Sequence, residues 1–110
     1  MKTIKISSDY SDTPLGRSPD DGNFSGARFR DEFLRPALGA EDKVVVDIDD
    51  VEGYGSSFLE ESFGGLVRKG YFSATDLQKK LEILYKDKDF KIYHDLIWRY
   101  INEAKREKGG

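Results

Sequence analysis

The 110-residue chain contains no cysteine, which excludes disulfides, thiolate nucleophiles and thiolate metal sites and fits a reducing compartment. It has a single histidine, His94, so a Ser-His-Asp system would depend wholly on that residue. The stretch Gly55-Ser56-Ser57-Phe58-Leu59 lacks the second glycine of a nucleophile elbow. Neither a Walker A run nor Gly-x-Gly-x-x-Gly occurs. The expectation is a protein that is not an enzyme and carries no cofactor. No apolar run approaches the roughly 20 residues that span a bilayer, and the start Met1-Lys2-Thr3-Ile4-Lys5-Ile6 is too charged and alternating for a signal peptide. A cytoplasmic protein without a membrane partner is therefore expected. Positive charge is also in short supply: 18 basic residues face 21 acidic ones, for a net charge of −3. That balance argues against nucleic acid as the main partner, because backbone phosphates are held by a surplus of Lys and Arg.

What is present suffices for one packed core. Hydrophobic residues make up 37% and aromatics 13%, far from the composition of a disordered chain. The length fits one domain, residues 1–110, of which the polar stretch 106–110 is expected to fray. Lys2-Thr3-Ile4-Lys5-Ile6 alternates as a half-buried strand does. Residues 7–25 turn to Ser, Asp, Gly and Pro and read as a long loop, with room for one short strand around Leu15-Gly16-Arg17. Loops of that length are uncommon in compact domains and often carry function. Ser25 caps a helix to about Leu38, with Phe29, Phe33, Leu34 and Leu38 on one face, Pro36 weakening its last turn and Gly39 ending it.

Lys43 to Asp49 is the clearest strand, apolar on both faces and therefore interior. A second helix runs from a cap at Ser56 or Ser57 to about Lys69. Leu59, Phe63, Leu66 and Val67 form its stripe, and Glu60 and Glu61 sit in its first turn, where negative charge suits the helix dipole. Gly64 and Gly65 inside it cost about 1 kcal/mol each relative to alanine, which implies close packing against another backbone. A short helical piece capped by Ser73 or Thr75, a strand Leu81 to Tyr85 and a helix from about Phe90 to Lys105 complete the order. The sum is an α/β single domain, a small mixed sheet of about four strands with three to four packed helices.

Three clusters carry chemically useful groups. At the junction 47–57 a hydroxyl stands at a helix start, where Ser56 or Ser57 reads as a cap and where a phosphate would also be stabilised. In the early loop, Arg17, Asp20 and Asp21 lie near Arg28 and Arg30. These residues form either an anion site, since guanidinium groups hold carboxylate or phosphate in two parallel bonds, or a tether in which Arg17 and Arg30 pair with Asp20 and Asp21. Asp47, Asp49 and Asp50 suggest a cation only weakly. No further ligand stands at a recognisable spacing, and strand-end aspartates commonly receive turn N–H groups, so no metal is expected. Trp98 flanks the stripe of the last helix and reads as core.

The run from Val44 to Leu66, a hydrophobic strand ending Asp-Ile-Asp-Asp-Val, then Gly-Ser-Ser and a glycine-containing helix, resembles the core of STAS domains, which include bacterial anti-sigma-factor antagonists. The whole chain is more similar still to a STAS-like family of uncharacterised bacterial domains. That likeness rests on Leu15-Gly16-Arg17, Asp20-Asp21-Gly22, Ser25-Gly26, Phe29-Arg30, Leu34-Arg35-Pro36, Ser56-Ser57-Phe58 and Phe63-Gly64-Gly65-Leu66. The resemblance implies a STAS-like fold and a regulatory, protein-binding role with a kinase-like ATPase as partner. It also implies a switch in which Ser56, or its neighbour Ser57, is phosphorylated, and a partner surface made of Gly53, Tyr54, Gly55, Phe58 and Glu60. Two positions depart from the antagonist motif: Gly55 stands where Asp precedes the serine, and Phe58 where glycine follows.

Overall fold

The computed structural model describes residues 1–107. Three short strands, β1 (Lys2–Lys5), β2 (Val44–Asp47) and β3 (Leu81–Leu84), form one sheet in the order β1-β2-β3 with both pairings parallel. Parallel neighbours require crossover connections. Helix α1 (residues 26–40) makes the first crossover, while α2 (residues 56–68) and α3 (Ala74–Lys80) make the second; α4 (Lys91–Glu103) follows β3. Val44, Val45 and Val46 of the central strand are all buried, as expected of an interior parallel strand covered on both faces.

The sheet departs from expectation in two respects. Among the described residues it has three strands rather than about four, and it is wholly parallel rather than mixed. Leu15-Gly16-Arg17 is no strand: Leu15 makes a single backbone bond to the Phe24 carbonyl, and Gly16 has φ +85°. The period-2 run at the start also stops at Lys5. Ile6–Tyr10 winds into one wide helical turn closed by the Ser11 N–H on the Ile6 carbonyl. From that turn the Asp9 carboxylate accepts the Lys5 N–H at 2.8 Å, covering a backbone donor of the edge strand.

Helices α1 and α2 each carry a wide turn at mid-length, Arg30–Leu34 and Glu60–Gly64, with N–H groups bonding five residues back. In α1 the cause is Pro36, whose ring crowds the carbonyl four residues earlier and whose nitrogen has no hydrogen to give. The helix absorbs it without ending: Gly39 does not close α1, which runs to Ala40 with Glu41 extended beyond it. In α2 the buried Ser62 hydroxyl donates to the Phe58 carbonyl at 2.7 Å, inside the wide turn, a side-chain bond that competes with the backbone ladder.

One core joins the sheet to the helices. Phe29, Leu34 and Leu38 of α1, Phe58, Leu59, Phe63 and Leu66 of α2, Leu77 of α3, and Ile97 and Ile101 of α4 pack against Ile4, Val44, Val46 and Ile83. Trp98 packs against it part-buried, as the sequence suggested. Ser73 caps α3, accepting the Asp76 N–H at 3.0 Å in a capping box. Glu107, the last described residue, is docked, its N–H bonded to the Arg68 carbonyl at 2.7 Å. Residues 108–110 of the tail expected to fray lie outside the described residues.

Candidate functional site

The carboxyl end of the central strand of a parallel sheet is where open α/β folds place their sites. Here the chain leaves β2 through three aspartates, each already engaged. Asp47 accepts the Asp49 N–H at 3.0 Å, the buried Asp49 carboxylate accepts the N–H groups of Lys86 at 2.7 Å and Asp87 at 3.3 Å, and Asp50 pairs with Lys5 at 2.7 Å. Asp50 has φ +66°, the left-handed conformation that aspartate tolerates better than most residues. No cluster among the described residues is suited to hold a metal ion.

Past the turn, Tyr54 is buried and its hydroxyl donates to the Ile48 carbonyl at 2.8 Å. Burial beside Asp47 and Asp49 pushes its pKa well above the usual tyrosine value. Phe58 is also fully buried. The resemblance places both on the partner surface, but they support the turn from inside because their rings pack with each other and with the core.

The residues left on the outside are Gly55, Ser56, Ser57 and, half-buried, Gly53 and Glu60. Neither serine caps α2. Gly55 occupies the cap position, and no side chain accepts a hydrogen bond from the helix start. The first N–H groups of α2 therefore lack an intrahelical partner, and both serine hydroxyls are exposed beside them.

One turn further along α2 stands an ion-pair network that the sequence reading caught only in part. Arg30, 3% exposed, bonds the carboxylates of Asp31 and Glu61 and the Glu61 carbonyl. Arg68 reaches back to Glu60 at 3.2 Å and Glu61 at 3.1 Å, and forward to Glu107 at 2.8 Å. Arg17 joins from the early loop, bonded to Glu60 and 3.6 Å from Glu61. A pair eight residues apart cannot ordinarily meet over the intervening turn of a helix. Gly64 and Gly65 make it possible. A Cβ at Gly64 would stand 2.8 Å from a Glu60 carboxylate oxygen, and one at Gly65 would stand 2.8 Å from the Arg30 guanidinium.

The two glycines thus clear a trough for side chains rather than for another backbone. The close backbone approach is at Gly26, where a Cβ would meet the Phe58 carbonyl at 2.6 Å. Burial alone would raise the Glu61 pKa, but bonds from Arg30 and Arg68 hold it below the usual glutamate value. The same reasoning applies in reverse to Arg68, whose charge burial opposes while Glu107 and Glu60 more than restore it. The missed members were Glu61, Arg68, Asp31 and Glu107. A basic residue separated from an acidic pair by two glycines on one stripe was the available signal.

The early loop is tied down, though not by the expected pairs. Asp21 accepts the backbone N–H groups of Arg17 and Ser18, at 3.0 and 3.3 Å, rather than a guanidinium. Asp20 is exposed. Arg28 pairs with Glu32 at 2.9 Å and bonds the Asn23 carbonyl. The loop then joins α1 through Gly26 and Ala27, whose N–H groups bond the carbonyls of Gly16 and Arg17. His94 lies on α4 against Tyr85, its Nδ1 2.9 Å from Asp95.

Compared with known families, the chain matches over residues 25–89 the model of a STAS-like domain of unknown function (DUF4325). No curated protein and no solved structure matches it. The matched span runs from the Ser25 cap through α1, β2, α2, α3 and β3, so it contains every member of the trough except Arg17 and Glu107.

Proposed function

The chain belongs to the STAS-like domains of unknown function, and from that premise we propose that it is a non-catalytic regulatory module that works by binding another protein. The observation that carries the reading is the outer surface of the first turn of α2. Ser56 and Ser57 project there from a helix start with unpartnered N–H groups, beside Glu60 and Arg17, while Tyr54 and Phe58 fix the turn from below. A surface of this kind is rigid, polar and charged, and it changes character when one hydroxyl becomes a phosphate. The proposed partner is a kinase-like ATPase, and the proposed switch is phosphorylation of Ser56. The partner-facing groups are Gly53, Gly55, Ser56, Ser57 and Glu60.

The test is affinity capture of the tagged domain from its host lysate, with and without ATP, using wild type, Ser56→Ala and Ser56→Glu. The reading expects an ATPase-like protein whose capture changes with ATP and is lost or strengthened by Ser56→Glu. Equal capture by all three forms removes this surface from the account. No captured protein, together with a rise in melting temperature on adding nucleotide, would favour a nucleotide or small-anion sensor built on the Arg17 loop and the helix starts. That alternative has less behind it, because Arg17, Arg28 and Arg30 are each already paired with a carboxylate.

A further inference from the structure

Helix α4 buries Ile97 and Ile101 and packs Tyr93 and Tyr100 against the core. Its opposite face is open. Ile92 is 61% exposed, and with Lys91, Asp95, Arg99 and the outer edge of Leu96, which is otherwise packed against the core, it lines a shallow, mainly apolar notch of about 380 Å³. The charges there follow a regular order. Lys91, Asp95, Arg99 and Glu103 recur at every fourth position, alternate in sign and cancel. Within one molecule they pair in sequence, Lys91 with Asp95 at 2.7 Å and Arg99 with Glu103 at 2.8 Å. Such pairs support the helix by only a few tenths of a kcal/mol each and leave the apolar notch uncovered.

Read in the opposite direction, the same row is its own complement. Laid antiparallel against a second copy, with the two helices centred at Ile97, Asp95 faces Arg99 of the other copy and Lys91 faces its Glu103, each twice. Residues four apart form the ridges of a helix, and the commonest helix packing, at roughly −50°, runs the ridges of both partners parallel. Leu96 then lies near the two-fold axis beside its own equivalent, with Ile92 flanking it.

We propose that the outward face of α4 is a self-association surface whose occupant is a second copy of this chain, docked antiparallel about a two-fold axis. The contact is isologous and therefore closes at two copies. One helix pair buries less than the roughly 800 Å² per partner of a standard interface, so the dimer is weak and forms toward millimolar protein. The face lies apart from the first turn of α2, so the proposal stands or falls independently of the function proposed above.

Sedimentation equilibrium over a rising concentration series tests it on the whole chain, with circular dichroism confirming that each variant is folded. The expected result is a weight-average mass that climbs toward twice the monomer for wild type and stays monomeric for Ile92→Asp. Asp95→Arg and Arg99→Asp each place like charges across the axis and are likewise expected to stay monomeric. An equimolar mixture of these two variants restores opposite charges on both sides and is expected to dimerise again. A wild type that stays monomeric into the millimolar range overturns the proposal. So does association indifferent to these variants, or a mixture that fails to regain it.

Discussion

The glycines show how much a single missing Cβ decides in this molecule. Gly64 and Gly65 lie inside α2 and would gain roughly 1 kcal/mol of helix propensity as alanine, while Gly26 stands at the first position of α1. What each Cβ would meet differs. At Gly26 it is the Phe58 backbone carbonyl, which cannot move aside. At Gly65 it is the buried Arg30 guanidinium, held by two carboxylates. At Gly64 it is mainly the carboxylate of Glu60, the far end of a half-buried side chain paired with Arg17 and Arg68 that can swing aside. Chemical denaturation should therefore rank Gly26→Ala as the most destabilising, by about 3 kcal/mol, with Gly65→Ala at about 1–2 kcal/mol and Gly64→Ala within about 0.5 kcal/mol of wild type. A Gly65→Ala variant as stable as wild type would remove the trough as the reason for the pair. Tyr10 offers a second measurement at this scale. Its hydroxyl donates to the Ser25 carbonyl at 2.8 Å, and burial pushes its pKa up to about 12. Tyr10→Phe should cost about 0.5–1.5 kcal/mol through the lost hydroxyl bond, since the Ser25 carbonyl keeps the Phe29 N–H at 3.1 Å.

Among the elements, the ion-pair network joins the early loop, α1, α2 and Glu107 beyond α4, and its pH dependence has a definite sign. Glu61 and Asp31 have folded-state pKa values below their ordinary 4.5 and 3.8. Their pairs therefore contribute stability above the ordinary carboxylate range, and this contribution is lost as pH falls through the folded-state values. The melting temperature should decline as pH drops below about 4.5, and Glu61→Gln should show a shallower decline over the same range. A parallel decline in both would mean that other carboxylates carry the acid sensitivity.

The strands, the Ser25 and Ser73 caps and α4 were legible from local pattern, because apolar period and capping hydroxyls act within a few residues. The wide turns were not, although Pro36 hinted at one. A helix that swallows a proline through a bond five residues back still shows a helical apolar period. The cap expected at Ser56 or Ser57 falls one or two residues past the true one at Gly55, since a glycine can hold the cap position without any side-chain signal. From sequence Glu61 reads as a dipole partner because its actual partner, Arg30, is 31 residues away on another helix. That pairing is tertiary, and local spacing carries no trace of it.

Taken whole, the molecule is a small parallel sheet with its first β2-to-helix turn braced from beneath by Tyr54 and Phe58 and from the side by the Arg17 loop. No helix among the described residues is long and apolar enough to cross a membrane. The bracing gives the proposed binding surface its rigidity, since the exposed serines stand on a buried aromatic base and need no rearrangement to be presented. The most direct measurement of that claim is amide hydrogen exchange on the domain alone and in complex with the protein captured from lysate. The account predicts new protection concentrated at residues 53–61, extending to the neighbouring loop at 16–18, with the rest of the chain unchanged. Protection confined to other surfaces, such as α3 or the outer face of α4, would contradict it.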